Sequence, residues 1–117
     1  MNKETMPRPV VNFIRAVNDD DAEAFLSTFA SDALVSDVGR EFRGTAAIKE
    51  WSAREIFDVN VSLDVIDITE RDGQTVVTSK VDGTFDKTGL PDPLLLEHSF
   101  TLNGDEIAAF SSRLVGQ

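Results

Sequence analysis

Apolar residues return along the first part of the chain with a helical period. Val10, Phe13, Ile14 and Val17 stand at i, i+3, i+4 and i+7, one face of an amphipathic helix. After the run Asp19-Asp20-Asp21, the residues Ala22, Phe25, Leu26 and Phe29 repeat that spacing, which predicts a second helix ending near Phe29. The aspartates sit where a helix N-terminus takes acceptors and negative charge, so they read as caps. As a cation site they lack the spaced ligands and intervening turn of a metal loop. A short strand from Ala33 to Val38, a Gly39-Arg40 turn and a return over Glu41 to Arg43 follow. Gly44-Thr45 then opens a third helix, capped by Thr45, with Ile48 and Trp51 on one face and a Glu50–Arg54 pair at i, i+4 outside.

After Asp58 the period becomes two. Val59, Val61, Leu63 and Val65 alternate with polar residues, and Ile66 and Ile68 take the opposite parity, which predicts a bulge or a strand covered on both faces. Asp72-Gly73 is a hairpin turn, with Val77, Ser79, Val81 and Phe85 on the returning strand. Residues 86–93, dense in Gly, Pro and Asp, read as a loop whose prolines make a fixed rim. Leu94 to Leu102 forms another strand, Asn103-Gly104 a second turn, and Ile107 to Val115 the last strand. The order is three helices, with a small hairpin before the third, then a four-stranded antiparallel meander. Segregated helices and strands give an α+β fold, helices packed on one face of a curved, mostly antiparallel sheet, in one domain over residues 1–117.

Composition narrows the function classes. A chain of 117 residues, 41% apolar, is large enough for one real core. It has no cysteine, hence no disulfide, thiol nucleophile or thiolate metal site, and its single histidine leaves only carboxylates to complete a metal centre. No metal and no cofactor is expected, and no Gly-rich phosphate loop is present. A formal charge of −10 argues against a nucleic-acid partner. No apolar run approaches membrane-spanning length, and Met1 to Pro9 lacks the apolar centre of a secretory signal; the expectation is a soluble cytoplasmic protein with no membrane partner.

Two residues carry candidate chemistry. Asp37 ends a short strand and shares parity with Val35, so it can face the interior, where burial would raise its pKa and suit it to move protons. It can equally cap the adjoining turn or pair with Arg40 or Arg43. His98 shares parity with Leu94, Leu96, Phe100 and Leu102, on the apolar face of its strand, where it can donate a hydrogen bond or serve as acid or base. A one-residue bulge would put Glu97 there instead, and a core histidine satisfied by backbone or water is the structural alternative. The eight phenylalanines and Trp51 read as core and pocket wall, with Phe13, Val35, Trp51, Phe85, Phe100 and Phe110 as candidate lining. Ser111, Ser112 and Arg113 place polar groups in a pocket or an intersubunit contact.

The acid-rich junction VNDDDAEAFLSTFASDA, then LVSDVG, then FRGTAAIKEW, and the strand–Asn-Gly–strand ending resemble the nuclear transport factor 2-like superfamily, in its SnoaL-like and ketosteroid isomerase-like branch. The resemblance implies a conical α+β barrel, a deep apolar pocket between helices and sheet, and a homodimer formed across the sheet. It matches Asp37 to the isomerases' general base and His98 to their protonated aspartic acid. It implies an apolar small-molecule partner bearing a carbonyl, and an isomerase-, cyclase- or dehydratase-type reaction; a non-catalytic ligand-binding or dimeric interaction domain of the same fold is the alternative. Phe13 occupies the position of the isomerases' oxyanion tyrosine, and the chain contains no tyrosine. A stabilising donor would therefore come from His98, Arg43, Trp51 or a backbone amide.

Overall fold

The computed structural model describes residues 6–115. Residues 1–5, part of the stretch read for a secretory signal, lie outside the described residues. Helix α1 spans Arg8–Asn18 and α2 Ala22–Ser27. Asp21 caps α2, its side chain accepting from the Ala24 amide at 3.0 Å. The second helix is shorter than its periodicity predicts: Phe29 already belongs to β1, Phe29–Asp37, which begins four residues ahead of the predicted Ala33. A two-residue turn at Val38-Gly39 leads into β2, Arg40–Arg43, so Arg40 lies in the strand rather than the turn. Both turn residues have positive φ, 49° for Val38 and 81° for Gly39, the mirror-image conformation that matches strand twist.

Gly44, with φ 90°, turns the chain from β2 into α3, Thr45–Ser52; it takes the cap position expected of Thr45, which is the first helical residue. From Ala53 to Phe57 the helix continues as a π-helical turn. The expected Glu50–Arg54 pair is not formed among the ion pairs of the described residues.

Strands β3 (Ser62–Arg71), β4 (Gln74–Asp82), β5 (Leu95–Asn103) and β6 (Glu106–Leu114) form the antiparallel meander. The parity switch after Val65 is a bulge: the β3–β4 register shifts between Val65 and Asp67. The final turn lies at Gly104-Asp105, one residue beyond Asn103-Gly104, because Asn103 pairs with Glu106. Phe85 falls after the end of β4 instead of on it. Gly83 makes room for this: an added Cβ there would come within 2.7 Å of the Val59 carbonyl oxygen and 2.8 Å of the Phe85 ring.

The sheet order is β2-β1-β6-β5-β4-β3, with β1 and β6 parallel and all other neighbours antiparallel. The sheet curves around the helices without closing, leaving β2 and β3 as edges. Helix α1 is held against its concave face by Phe13, whose ring centroid lies 5.0 Å from each of Phe25, Phe100 and Phe110. Val10, Ala16 and Val17 bury the rest of that helical stripe. Asn18 ties the end of α1 to β3, donating to the Leu63 carbonyl at 3.0 Å and accepting from the Leu63 amide at 2.7 Å.

Two substitutions measure this packing. Phe13→Ala removes the centre of the aromatic cluster and is expected to cost about 3–5 kcal/mol in urea unfolding. Ser79 is fully buried on β4 with a hydroxyl that has no hydrogen-bond partner among the described residues. Ser79→Ala is therefore expected to stabilise the chain, by about 1 kcal/mol. A loss of stability on that change would mean the hydroxyl is satisfied in solution.

Candidate active site

Three strands deliver three polar side chains to one row. Asp37 on β1 is paired with Ser112 on β6, and Ser112 with His98 on β5. Side chains opposite one another in a sheet point to the same side, so the three share the concave face. With strands about 4.8 Å apart, the backbones of Asp37 and His98 are separated by about 10 Å, room for part of a small molecule between the side chains.

All three line a cavity of about 620 Å³. Phe13 from α1, Trp51 from α3, Ile56 from the π-turn, Leu63, Val81 and Leu96 from the meander, Phe85 after β4 and Phe110 from β6 supply much of its apolar wall. Val35 and Phe100 are buried in the core but do not reach that wall. The apolar side chains of Val38, at the β1–β2 turn and 79% exposed, and Leu90, in the loop before β5, stand at its mouth.

Asp37 is held from two sides. Its Oδ2 accepts from the Trp51 indole nitrogen at 3.1 Å and from Arg40 Nη2 at 2.9 Å. Arg40 Nη2 also reaches Glu55 Oε1 at 3.5 Å, tying the β1–β2 hairpin to the π-turn. The ion pair with Arg40 and the position on the cavity wall thus hold together. Among the described residues Oδ1 has no hydrogen-bond partner, so one oxygen is oriented and the other open. Arg43 is turned away, donating to the Asp32 carbonyl at 3.2 Å.

His98 is 6% exposed, its ring 5.2 Å from that of Phe110 and 6.5 Å from that of Phe13. It makes no hydrogen bond among the described residues, and its nitrogens are not sealed in the core: the Ser79 hydroxyl is the one fully buried side-chain polar atom there without a partner. Burial pushes its pKa down to about 4, against the opposing pull of the Asp37 charge, so the imidazole is neutral near pH 7. A neutral imidazole still donates one N–H. Glu97 points to the opposite face, where it meets Arg113 at 2.6 Å and Arg71 at 3.3 Å and is held below the usual carboxylate range, mainly by Arg113. The bulge in the β5–β6 pair comes after Thr101 and leaves the parity of His98 intact.

The sequence offers Ser112 only jointly with Ser111 and Arg113, and it does not mark Arg54 as a cavity residue at all. Ser112 has no spacing signal that separates it from Ser111; only the strand register assigns its direction. Arg54 lies in the π-helical turn that borders the cavity, and no residue pattern marks that change of winding. Among the described residues no group of three or more carboxylate or imidazole side chains is gathered closely enough to hold a metal ion. No helix among them is long and apolar enough to cross a membrane.

Comparison with known proteins agrees with this architecture. A SnoaL-like domain family model matches residues 10–110. A proposed polyketide cyclase from Sinorhizobium meliloti is 26% identical, with a TM-score of 0.84 over 97% of this chain and 100% of that one. A ketosteroid isomerase from Mycobacterium sp. is 16% identical, with a TM-score of 0.70 over 90% of this chain and 88% of that one. TerC, co-crystallised with polyporic acid, is 20% identical, with a TM-score of 0.74 over 91% of this chain and 88% of that one. The two lower identities speak to the fold alone. No curated protein matches the sequence. With the family match running from α1 to β6 on a nuclear transport factor 2-like, ketosteroid isomerase-like fold, the chain belongs to the SnoaL-like domain family.

Proposed function

We propose that the cavity binds an apolar small molecule bearing a carbonyl group and that Asp37 shuttles a proton on it. The observation that carries this reading is the row Asp37, Ser112 and His98 on one wall of an otherwise apolar cavity. The open oxygen of Asp37 takes the proton from the carbon next to the carbonyl, and the C–H electrons pass into an enolate. His98, and Ser112 beside it, donate hydrogen bonds to the oxygen where negative charge develops. The resulting carboxylic acid returns the proton to the same carbon or to another position on the enolate, which is the elementary step of isomerisation and of aldol-type cyclisation. Trp51 fixes the carboxylate while this happens. His98 stands in for the phenolic donor that Phe13 cannot supply. Its neutrality suits the role, since a neutral imidazole polarises a carbonyl without first losing a charge.

A second reading is a non-catalytic ligand-binding domain. The Arg40 contact favours it, because a carboxylate shared between a guanidinium and an indole N–H also serves as a structural anchor for the β1–β2 hairpin.

Deuterium uptake separates the two. In D2O the protein is expected to accelerate exchange of the acidic α-hydrogens of β-tetralone, an apolar bicyclic ketone, and Asp37→Asn is expected to slow that exchange by about a hundredfold or more. Equal rates in the two proteins would remove Asp37 from the chemistry and leave the binding reading. The neutral histidine gives a separate expectation. Its folded pKa of about 4 lies below the ordinary 6.5, so below that value the unfolded chain binds a proton that the folded chain refuses. The contribution is complete above about pH 6.5 and is lost as pH falls toward 4, on the order of 3 kcal/mol in all. Urea unfolding should show that loss in the wild type and a flatter profile over the same window in His98→Leu.

A further inference from the structure

The charged residues that border the cavity are Asp37, Arg54, Glu55 and Arg113. Three of them are already engaged. Asp37 and Glu55 share Arg40, at 2.9 and 3.5 Å, and Arg113 is held by Glu97 on the far side of the sheet. Arg54 makes no ion pair among the described residues, including with Glu50, the carboxylate its spacing offers it. An exposed guanidinium thus stands at the cavity mouth with its donors open. It is next in sequence to Glu55, which Arg40 ties to Asp37, so Arg54 belongs to the same end of the cavity as the carboxylate.

We propose that Arg54 is an anion-recognising residue of this cavity and that the molecule bound there carries an anionic oxygen group at one end of its apolar body. This rests on the reading that the cavity holds an apolar small molecule, and it adds the class and the orientation. The chain carries a formal charge of −10, so an anionic molecule approaching it is repelled except where a local cation offsets the field. Asp37 and Glu55 together outnumber the one guanidinium they share, which disfavours an anion deep in the site. The anionic end therefore sits outward at Arg54, while the apolar body, with its carbonyl, reaches the row of Asp37, Ser112 and His98. Guanidinium suits the task because its planar fork pairs with carboxylate or sulfonate through two hydrogen bonds.

The test uses two fluorescent probes that share one apolar body, anilinonaphthalenesulfonate and its uncharged counterpart phenylnaphthylamine. In titrations at low salt the wild-type protein should bind the sulfonate more tightly than the uncharged probe. Arg54→Gln should weaken the sulfonate about tenfold and leave phenylnaphthylamine within about twofold, while Arg54→Lys, which keeps the charge without the planar fork, should fall between wild type and Arg54→Gln. Leu96→Trp, which fills the cavity from β5, should weaken both probes. If Arg54→Gln leaves sulfonate affinity unchanged while Leu96→Trp abolishes it, the anion assignment is overturned and the small-molecule cavity stands. If Leu96→Trp leaves both probes bound as before, the cavity reading fails and the assignment to Arg54 fails with it.

Discussion

The parallel pairing of β1 with β6 is the constraint on which the rest of this structure depends. Antiparallel connections between consecutive strands build the meander of β3 to β6, but not the site. By joining the last strand of the meander, β1 brings an aspartate separated from Ser112 by most of the chain into direct register with it. The same pairing carries the β1–β2 hairpin and α3 to the cavity, and so supplies Trp51, Arg40 and the π-turn. Long-range pairing of this kind costs chain entropy before its contacts form. Burial must offset that cost, and Val35, Ile107 and Phe110, all buried near the β1–β6 junction, show where it occurs.

The aromatic cluster and the polar row divide the concave face between them. Phe13, Phe25, Phe100 and Phe110 close-pack in the core and pin α1 to the sheet. Asp37, Ser112 and His98 occupy the strip that borders the cavity. Because apolar rings surround His98, its charged form is penalised and it stays a neutral donor. The carboxylate escapes that isolation through Trp51 and Arg40. A single cavity is therefore bordered by an oriented carboxylate, a neutral imidazole and a guanidinium outside the ion pairs of the described residues, each set by a different element of the fold.

Much of the fold is legible in the sequence because the helical stripe of α1, the alternation of β3 to β6 and the Asp72-Gly73 turn are local signals. The bulge at Val65 to Asp67 is written in the parity of Ile66 and Ile68. The limits are equally physical. Phe29 fits the helical period of α2 yet pairs in β1, because an apolar residue at an element boundary satisfies either environment. Phe85 fits the alternation of β4 but comes after the strand, where Gly83 lets the backbone pass close to Val59. Asp37 and His98 were identifiable from strand parity and family resemblance. Ser112 required the register across two strand pairs, and Arg54 lies in a π-helical turn that has no residue signature.

The single histidine offers the most direct test that the row works as a unit. Its imidazole resonances are unique in the spectrum, so nitrogen-detected NMR reports on His98 without assignment ambiguity. Titration with β-tetralone near neutral pH should shift the signal of the protonated ring nitrogen as it donates to the ketone oxygen, with the ring remaining neutral. The same titration of Asp37→Asn should still show binding at His98. An imidazole signal that stays unchanged while the ketone saturates its site would contradict the account, because the carbonyl would then lie away from the row formed by Asp37, Ser112 and His98.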